Sequence, residues 1–220
     1  MKIFLDVDGV LIDGWHADDS RRRRWDAAIG TDLRIDRAAF QRLFFGVPDS
    51  PSTSPMAACM SGRRDLHEAL AEVLPQVGYG GRVADFVRYW FENDSNVDMG
   101  VLGLIDEIRR CGQVQLFLAT AQEHHRARYL WNDLGLREHF DDIFHSAAIG
   151  CSKKDVRFYE TINRRLGSAA DERPLFFDDQ PAVIETAGRA GWDGVVFTSL
   201  RDIERHPRLR AMLLRPGRPA

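Results

Sequence analysis

Two carboxylates close the first apolar run of the chain. Lys2–Asp13 reads KIFLDVDGVLID, in which Asp6 and Asp8 follow Ile3, Phe4 and Leu5, and Gly9 comes next. A run this short, beside a glycine, reads as a buried strand of a parallel sheet. If the strand ends here, Asp6 faces a site directly and Asp8 sits just past the edge. A carboxylate at such a place is costly unless a cation or hydrogen bonds compensate it. A divalent metal is the partner such a pair calls for. A D-x-D pair can also simply begin a turn, so the rest of the chain has to decide. Calcium loops are excluded. Val10, Leu11 and Ile12 stand where an EF-hand needs oxygen ligands. In the second acidic stretch, Asp94–Asp98, Met99 takes the obligatory glycine position and Ile105 that of the bidentate glutamate.

The elements that would position these acids follow from the hydrophobic periodicity. From Gly14 to about Val97 the pattern is helical with no strand alternation. Ile35, Phe40, Leu43 and Phe44 suit one amphipathic face, 48–55 (PDSPSTSP) reads as a loop, and helices are expected over 63–74 and 85–91. From Asp98 strands and helices alternate. Helices are expected over 99–110, 123–134, 154–166 and 181–190, and strands over 113–120, 143–147, 175–178 and 194–198. The tail from His206 is Arg- and Pro-rich and is expected to fray. The alternation specifies a parallel α/β sheet whose strands all end on one edge.

That edge collects chemistry. Asp6 with Asp8, Thr120, and Asp178 with Asp179 end three strands, and ligands of open α/β sheets bind outside the carboxyl ends. Lys153 is expected to open the next helix, near its positive dipole end. It stands out because only Lys2, Lys153 and Lys154 are lysines, every other basic residue being Arg. Four carboxylates in one place repel by about 4 kcal/mol per pair at 4 Å and an effective dielectric near 20. A hard oxygen-liganded cation such as Mg2+ offsets that, and a lysine, a hydroxyl and helix-start N–H groups then suit a phosphate dianion. A metal-neutralised carboxylate facing a phosphoryl group can act as a nucleophile, with a neighbouring acid moving the proton.

DVDGVL at Asp6–Leu11, FLATAQ at Phe117–Gln122, Lys153 with Asp155 after it, and FFDDQ at Phe176–Gln180 resemble, in order, the four motifs of the haloacid dehalogenase (HAD) superfamily. The resemblance covers roughly 1–13 and 98–200. It implies a Rossmann-like α/β core over 1–13 and 98–220, with a small all-helical cap over 14–97 that excludes water and selects the substrate. By resemblance, Asp6 is the nucleophile and Asp8 the general acid/base. Thr120, Ala121 through its N–H, and Lys153 hold the phosphoryl group, and Asp179, assisted by Asp178, completes a Mg2+ site with Asp6 and the Asp8 carbonyl. Two departures stand out. Ala121 replaces an Asn common among relatives, and Lys153-Lys154-Asp155-Val156 replaces Lys-Pro-Asp-Pro, which leaves Lys154 as an alternative to Lys153. The implied activity is Mg2+-dependent hydrolysis of small phosphomonoesters, sugar phosphates included, through an aspartyl-phosphate. A phosphomutase or a non-catalytic phosphoester-binding protein is the alternative. A dehalogenase is disfavoured, since it needs no second acid at the position of Asp8.

The remaining features bound the partners. A net charge of −3 argues against a general nucleic-acid binder, and Asp18, Asp19 and Asp26 flank the Arg21–Arg24 run, as expected for a solvated helix face. No apolar run approaches the ~20 residues of a membrane span. Three scattered cysteines and an N-terminus without a signal pattern make the cytoplasm the expected location. Trp15, His16, Arg42, Arg63 and Arg64 could touch a substrate, but surface positions are the default. His124 and His125 resemble zinc ligands only superficially.

Overall fold

The computed structural model describes residues 1–12, 24–47, 53–112, 114–167 and 171–213. Five strands form one sheet: β1 (Lys2–Leu5), β2 (Gln115–Thr120), β3 (Asp142–His145), β4 (Leu175–Asp178) and β5 (Asp193–Val196). Their order is β3-β2-β1-β4-β5 and every pairing is parallel. The chain moves outward from β1 through β2 to β3, then crosses back to β4 on the other side. The carboxyl ends of β1 and β4 therefore flank the topological switch point, where α/β sheets open a crevice.

Alternation along the strands builds two cores. Ile3, Leu5, Leu116, Leu118 and Phe177 face α6 (Met99–Cys111), α11 (Leu200–Glu204) and α12 (Pro207–Leu213). Phe4, Phe117 and Phe176 face α9 (Val156–Arg165), α10 (Pro181–Arg189) and the buried Trp192. Full burial of each such side chain contributes about 1.5–3 kcal/mol. From Pro207 to Leu213 the tail is helical, with Leu209 fully buried in the first core, contrary to the expected fraying, and 214–220 lie outside the described residues.

Between β1 and α6 the described residues form α1 (Ile29–Asp32), α2 (Arg37–Phe40), α3 (Pro55–Met60), α4 (Leu66–Val73) and α5 (Val83–Asn93), with a π-helical turn over Gln41–Phe45, a 3-10 turn over Leu74–Val77 and no strand longer than isolated bridges at Asp8, Ile12 and Val97. They enclose a separate cluster that includes Phe40, Phe44, Leu70, Phe86 and Trp90. The sequence reading missed α3, because the Ser/Pro-rich composition masks a start signal. The Ser54 hydroxyl accepts from the Ala57 N–H at 3.1 Å and Pro55 occupies the first turn. The way in and the way out of this segment run side by side, with Asp98 N–H donating to the Leu11 carbonyl at 2.8 Å.

Three other boundaries differ from expectation. β3 stops at His145, because the Ser146 hydroxyl and the Ala147 N–H turn to the Gln122 carbonyl and start a short helix, α8 (Ser146–Ile149). The helix expected over 123–134 is α7 (His124–Arg128) continued by a π-helical turn over Tyr129–Asp133. The helix expected from Lys154 begins at Val156 with Asp155 as its cap, so Lys153 lies in the turn ahead of it.

Candidate active site

The sheet fixes Asp6. Its N–H extends the ladder to the Phe177 carbonyl at 2.9 Å, one of its oxygens accepts from Val7 N–H at 2.8 Å, and the other meets Lys153 Nζ at 2.6 Å. The same ammonium donates to Asp178 Oδ2 at 2.7 Å, and Asp178 Oδ1 accepts from Gln180 N–H at 2.9 Å. Lys153 is itself held in place by Tyr159 of α9, whose hydroxyl donates to the Lys153 carbonyl at 2.9 Å. Asp6, Lys153, Asp178 and Asp179 are all buried, whereas Lys154 is exposed. Of the two lysines, only Lys153 reaches the carboxylates.

The charges are unbalanced. Ligand oxygens of Asp6, Asp178 and Asp179 lie within 4.8 Å of one another, and Lys153 is the one cation in contact with them among the described residues. Burial, then the Asp6 charge, pushes the Asp179 carboxyl up to about 7 and that of Asp178 to about 6. Burial also raises Asp6, against the pull of Lys153. For Lys153 burial acts downward, but Asp6 and Asp178 outweigh it and hold the ammonium above its ordinary value.

Bonding capacity is also left over. Neither oxygen of Asp179 has a hydrogen-bond partner among the described residues, and neither does the fully buried Thr120 hydroxyl at the end of β2. Buried polar atoms are ordinarily paired. Gly9, at φ +89°, passes so close to Asp179 that a Cβ there would collide with its carboxylate, which keeps the loop after β1 tight over the cluster. A hard cation fits this donor set, since three carboxylates present oxygens at one point and one of them has both free.

Asp8 stands slightly apart. Its Oδ2 accepts from Gln122 Nε2 at 2.6 Å, which ties it to the loop after β2 rather than to the three-carboxylate group. Gln122 belongs to the FLATAQ stretch, but nothing in its type or spacing pointed to this contact.

Above these residues opens a cleft of about 500 Å³, reached by Asp6, Asp8, Ala121 and Lys153 from the sheet edge and by Trp25, Phe45 and Met60 from the helical segment. Arg126, buried on α7, joins the two sides. It donates to the Phe91 carbonyl at 3.1 Å, to Ser95 Oγ at 3.0 Å and to the Asp94 carbonyl. Asp94 also lines the cleft, and burial together with the nearby Asp8 raises its carboxyl to about 7. The sequence reading missed Asp94, Arg126 and Trp25, which separate stretches of chain bring together. Of the basic residues weighed for substrate contact, Arg42 and Arg63 are exposed and Arg64 pairs with Glu72, all outside the cleft, whereas Arg24 lines it. Trp15 and His16 lie outside the described residues. His125 bonds Asp65 at 2.6 Å and His124 meets His145 at 3.3 Å. Among the described residues neither belongs to a convergent three-ligand group.

The model of the haloacid dehalogenase-like hydrolases matches residues 3–191. The chain belongs to this family. A curated relative of this HAD-like hydrolase, the GMP/IMP nucleotidase YrfG of Escherichia coli (strain K12), is 29% identical over 87 residues, which span 40% of this chain and 38% of that enzyme. Among solved structures, a HAD-family enzyme from Bacteroides thetaiotaomicron in complex with magnesium and inorganic phosphate superposes with a TM-score of 0.66 at 14% identity, covering 88% of this chain and 92% of that one. The L-2-haloacid dehalogenase of Xanthobacter autotrophicus, with chloropropionic acid covalently bound, gives 0.56 at 16% identity, covering 93% and 80%. Both likenesses establish the shared fold, which by itself hosts different chemistries. No helix among the described residues is long and apolar enough to cross a membrane.

Proposed function

We propose that this HAD-like hydrolase cleaves small phosphomonoesters with Mg2+, through an aspartyl-phosphate formed on Asp6. The observation that carries the reading is the buried cluster of Asp6, Asp178 and Asp179, with one lysine and, among the described residues, two unpaired oxygens, next to a cleft that Asp6 and Lys153 line. Asp6, Asp179 and Asp178, with the Asp8 carbonyl, would hold the cation. Bound there, Mg2+ would neutralise the carboxylates and the charge of the phosphoryl oxygens. Magnesium and phosphate in the Bacteroides structure, and the nucleotidase activity named for the E. coli relative, support the same class.

The steps follow from the side chains. An Asp6 oxygen attacks phosphorus, the ester P–O bond breaks, and the leaving alkoxide takes a proton from Asp8. Asp8 then takes a proton from water as the water oxygen attacks phosphorus, and the Asp6–phosphorus bond breaks to release phosphate. Gln122, donating to Asp8, fixes that carboxyl where it can serve both steps. Lys153, the Thr120 hydroxyl and the Ala121 N–H hold the phosphoryl oxygens. The helical segment serves as the cap, with 14–97 as one domain and 1–13 with 98–220 as the other. Three free cysteines among the described residues fit a reducing cytoplasm.

The test is release of p-nitrophenol from p-nitrophenyl phosphate with Mg2+, with EDTA, and by Asp6→Asn. The proposal expects turnover only with metal and a loss of at least about 10⁴-fold in the variant, the order seen on removing a nucleophile. Equal turnover in EDTA would contradict it.

A further inference from the structure

Resting on the phosphomonoesterase reading, the cleft's walls say what the phosphate is attached to. Inorganic phosphate alone does not need a site of this size, which falls within the ~300–1,000 Å³ of sites for larger small molecules. Asp26, Glu123 and Arg126 on its walls are already engaged, while Arg24, Lys154 and Gln180 line it as well. The Asp26 carboxylate accepts from Arg37 at 2.9 Å, Arg24 at 3.2 Å and Gln41 at 2.5 Å. Glu123 caps the start of α7 through the His125 and Arg126 N–H groups, and Arg126 is committed to Phe91, Asp94 and Ser95. Asp94 accepts from the Trp90 indole at 3.3 Å, which leaves one carboxyl oxygen.

What the helical segment offers an occupant is ring and thioether surface. Trp25 and Trp90 lie parallel, centroids 4.7 Å apart at 18°, and Phe45 meets Trp90 edge-on at 5.7 Å. Trp25, Phe45, Met56 and Met60 are each half-buried on the cleft. A polyhydroxyl group set against this wall would lose hydrogen bonds to water and find few replacements. A flat ring gains stacking from rigid aromatic side chains and close packing from the adaptable methionines.

We propose that the substrate's leaving group carries a flat aromatic ring that packs on the Trp25 side of the cleft, and that Trp25, Phe45, Met56 and Met60 select for it. A nucleoside monophosphate is a substrate of that chemistry, whereas a bare sugar phosphate is not.

Inosine 5′-monophosphate and ribose 5-phosphate test this directly, because both expel the same primary alkoxide and differ by the base. Expected is a kcat/KM ratio of roughly 5- to 150-fold in favour of the nucleotide, the range that base stacking on an aromatic side chain supplies. Trp25→Ala should bring the ratio within about threefold of unity. Met56→Glu should also lower it, and keeps the test independent of the packing of Trp25 against Phe40 and Phe86. Quenching of tryptophan fluorescence by each compound reports binding without turnover. Equal kcat/KM for the two esters would overturn the inference and leave the phosphatase standing. Binding that depends on the base without hydrolysis would keep the inference and remove the phosphatase. Hydrolysis of ribose 5-phosphate without binding or hydrolysis of the nucleotide would overturn the inference alone, and silence with both esters would overturn both.

Discussion

Two buried carboxylate sites in this protein differ in charge balance and in how completely they are bonded. Asp26, 1% exposed, accepts from Arg24, Arg37 and Gln41, so both of its oxygens are used and two cations face one carboxylate. At the sheet edge the balance is reversed. One lysine faces Asp6 and Asp178, Asp179 lies beside them, and among the described residues neither its oxygens nor the nearby Thr120 hydroxyl has a partner. The first cluster is complete as folded and reads as structure. The second has charge and lone pairs to spare, so it reads as a place where a cation and an anion bind.

Breaking the incomplete cluster should have the largest effect. Lys153→Met removes the one cation that, among the described residues, contacts two buried carboxylates, and is expected to cost about 3–5 kcal/mol of stability, measured by urea unfolding without metal. A loss under about 1 kcal/mol would mean that the acids are not mutually repelling as folded. Asp179→Asn sharpens the contrast from the other side. Wild type should gain about 2.7 kcal/mol at a Mg2+ concentration 100 times its Kd. The variant should lose most of that gain while its metal-free form stays at least as stable, because the deleted charge had no partner.

The complete cluster should respond to pH rather than to metal. Burial raises the Asp26 carboxyl, but hydrogen bonds from Arg37 and Arg24 outweigh it and hold the group below its ordinary value. A carboxylate depressed in the folded state contributes stability above its unfolded pKa, and that contribution is lost as pH falls through the folded value. Asp26→Asn should therefore cost about 1–3 kcal/mol at pH 7. The gap to wild type should close below about pH 4, near the ordinary aspartate pKa, and Mg2+ should leave it unchanged. A gap that persists at low pH would trace the loss to packing instead.

The contrast also explains what could be read from the sequence. Asp6, Asp8, Asp178 and Asp179 were legible because each pair interrupts or closes an apolar run, where an acid needs a reason. Lys153 was legible because lysine is rare in this chain, although its helix starts later than expected, at the Asp155 cap. Gln122 on Asp8, Arg126 across to α5 and the Trp25–Trp90 stack were not, since each joins residues 35 to 114 positions apart. Local signals also misled in places. A Ser/Pro-rich stretch hid α3, and a continuing apolar pattern concealed the end of β3, where Ser146 bonds back to Gln122. The sheet needed only period and alternation, whereas the cleft needed tertiary contacts.

The central claim is that Asp6, among four neighbouring aspartates, carries the phosphoryl group. Quenching the enzyme during turnover of p-nitrophenyl phosphate with Mg2+, reducing with borohydride and mapping the peptides would locate it, because an acyl phosphate on aspartate is reduced to homoserine. The account predicts homoserine at position 6, dependent on both substrate and metal. Homoserine at position 8, 178 or 179, or none while phosphate is being released, would contradict it.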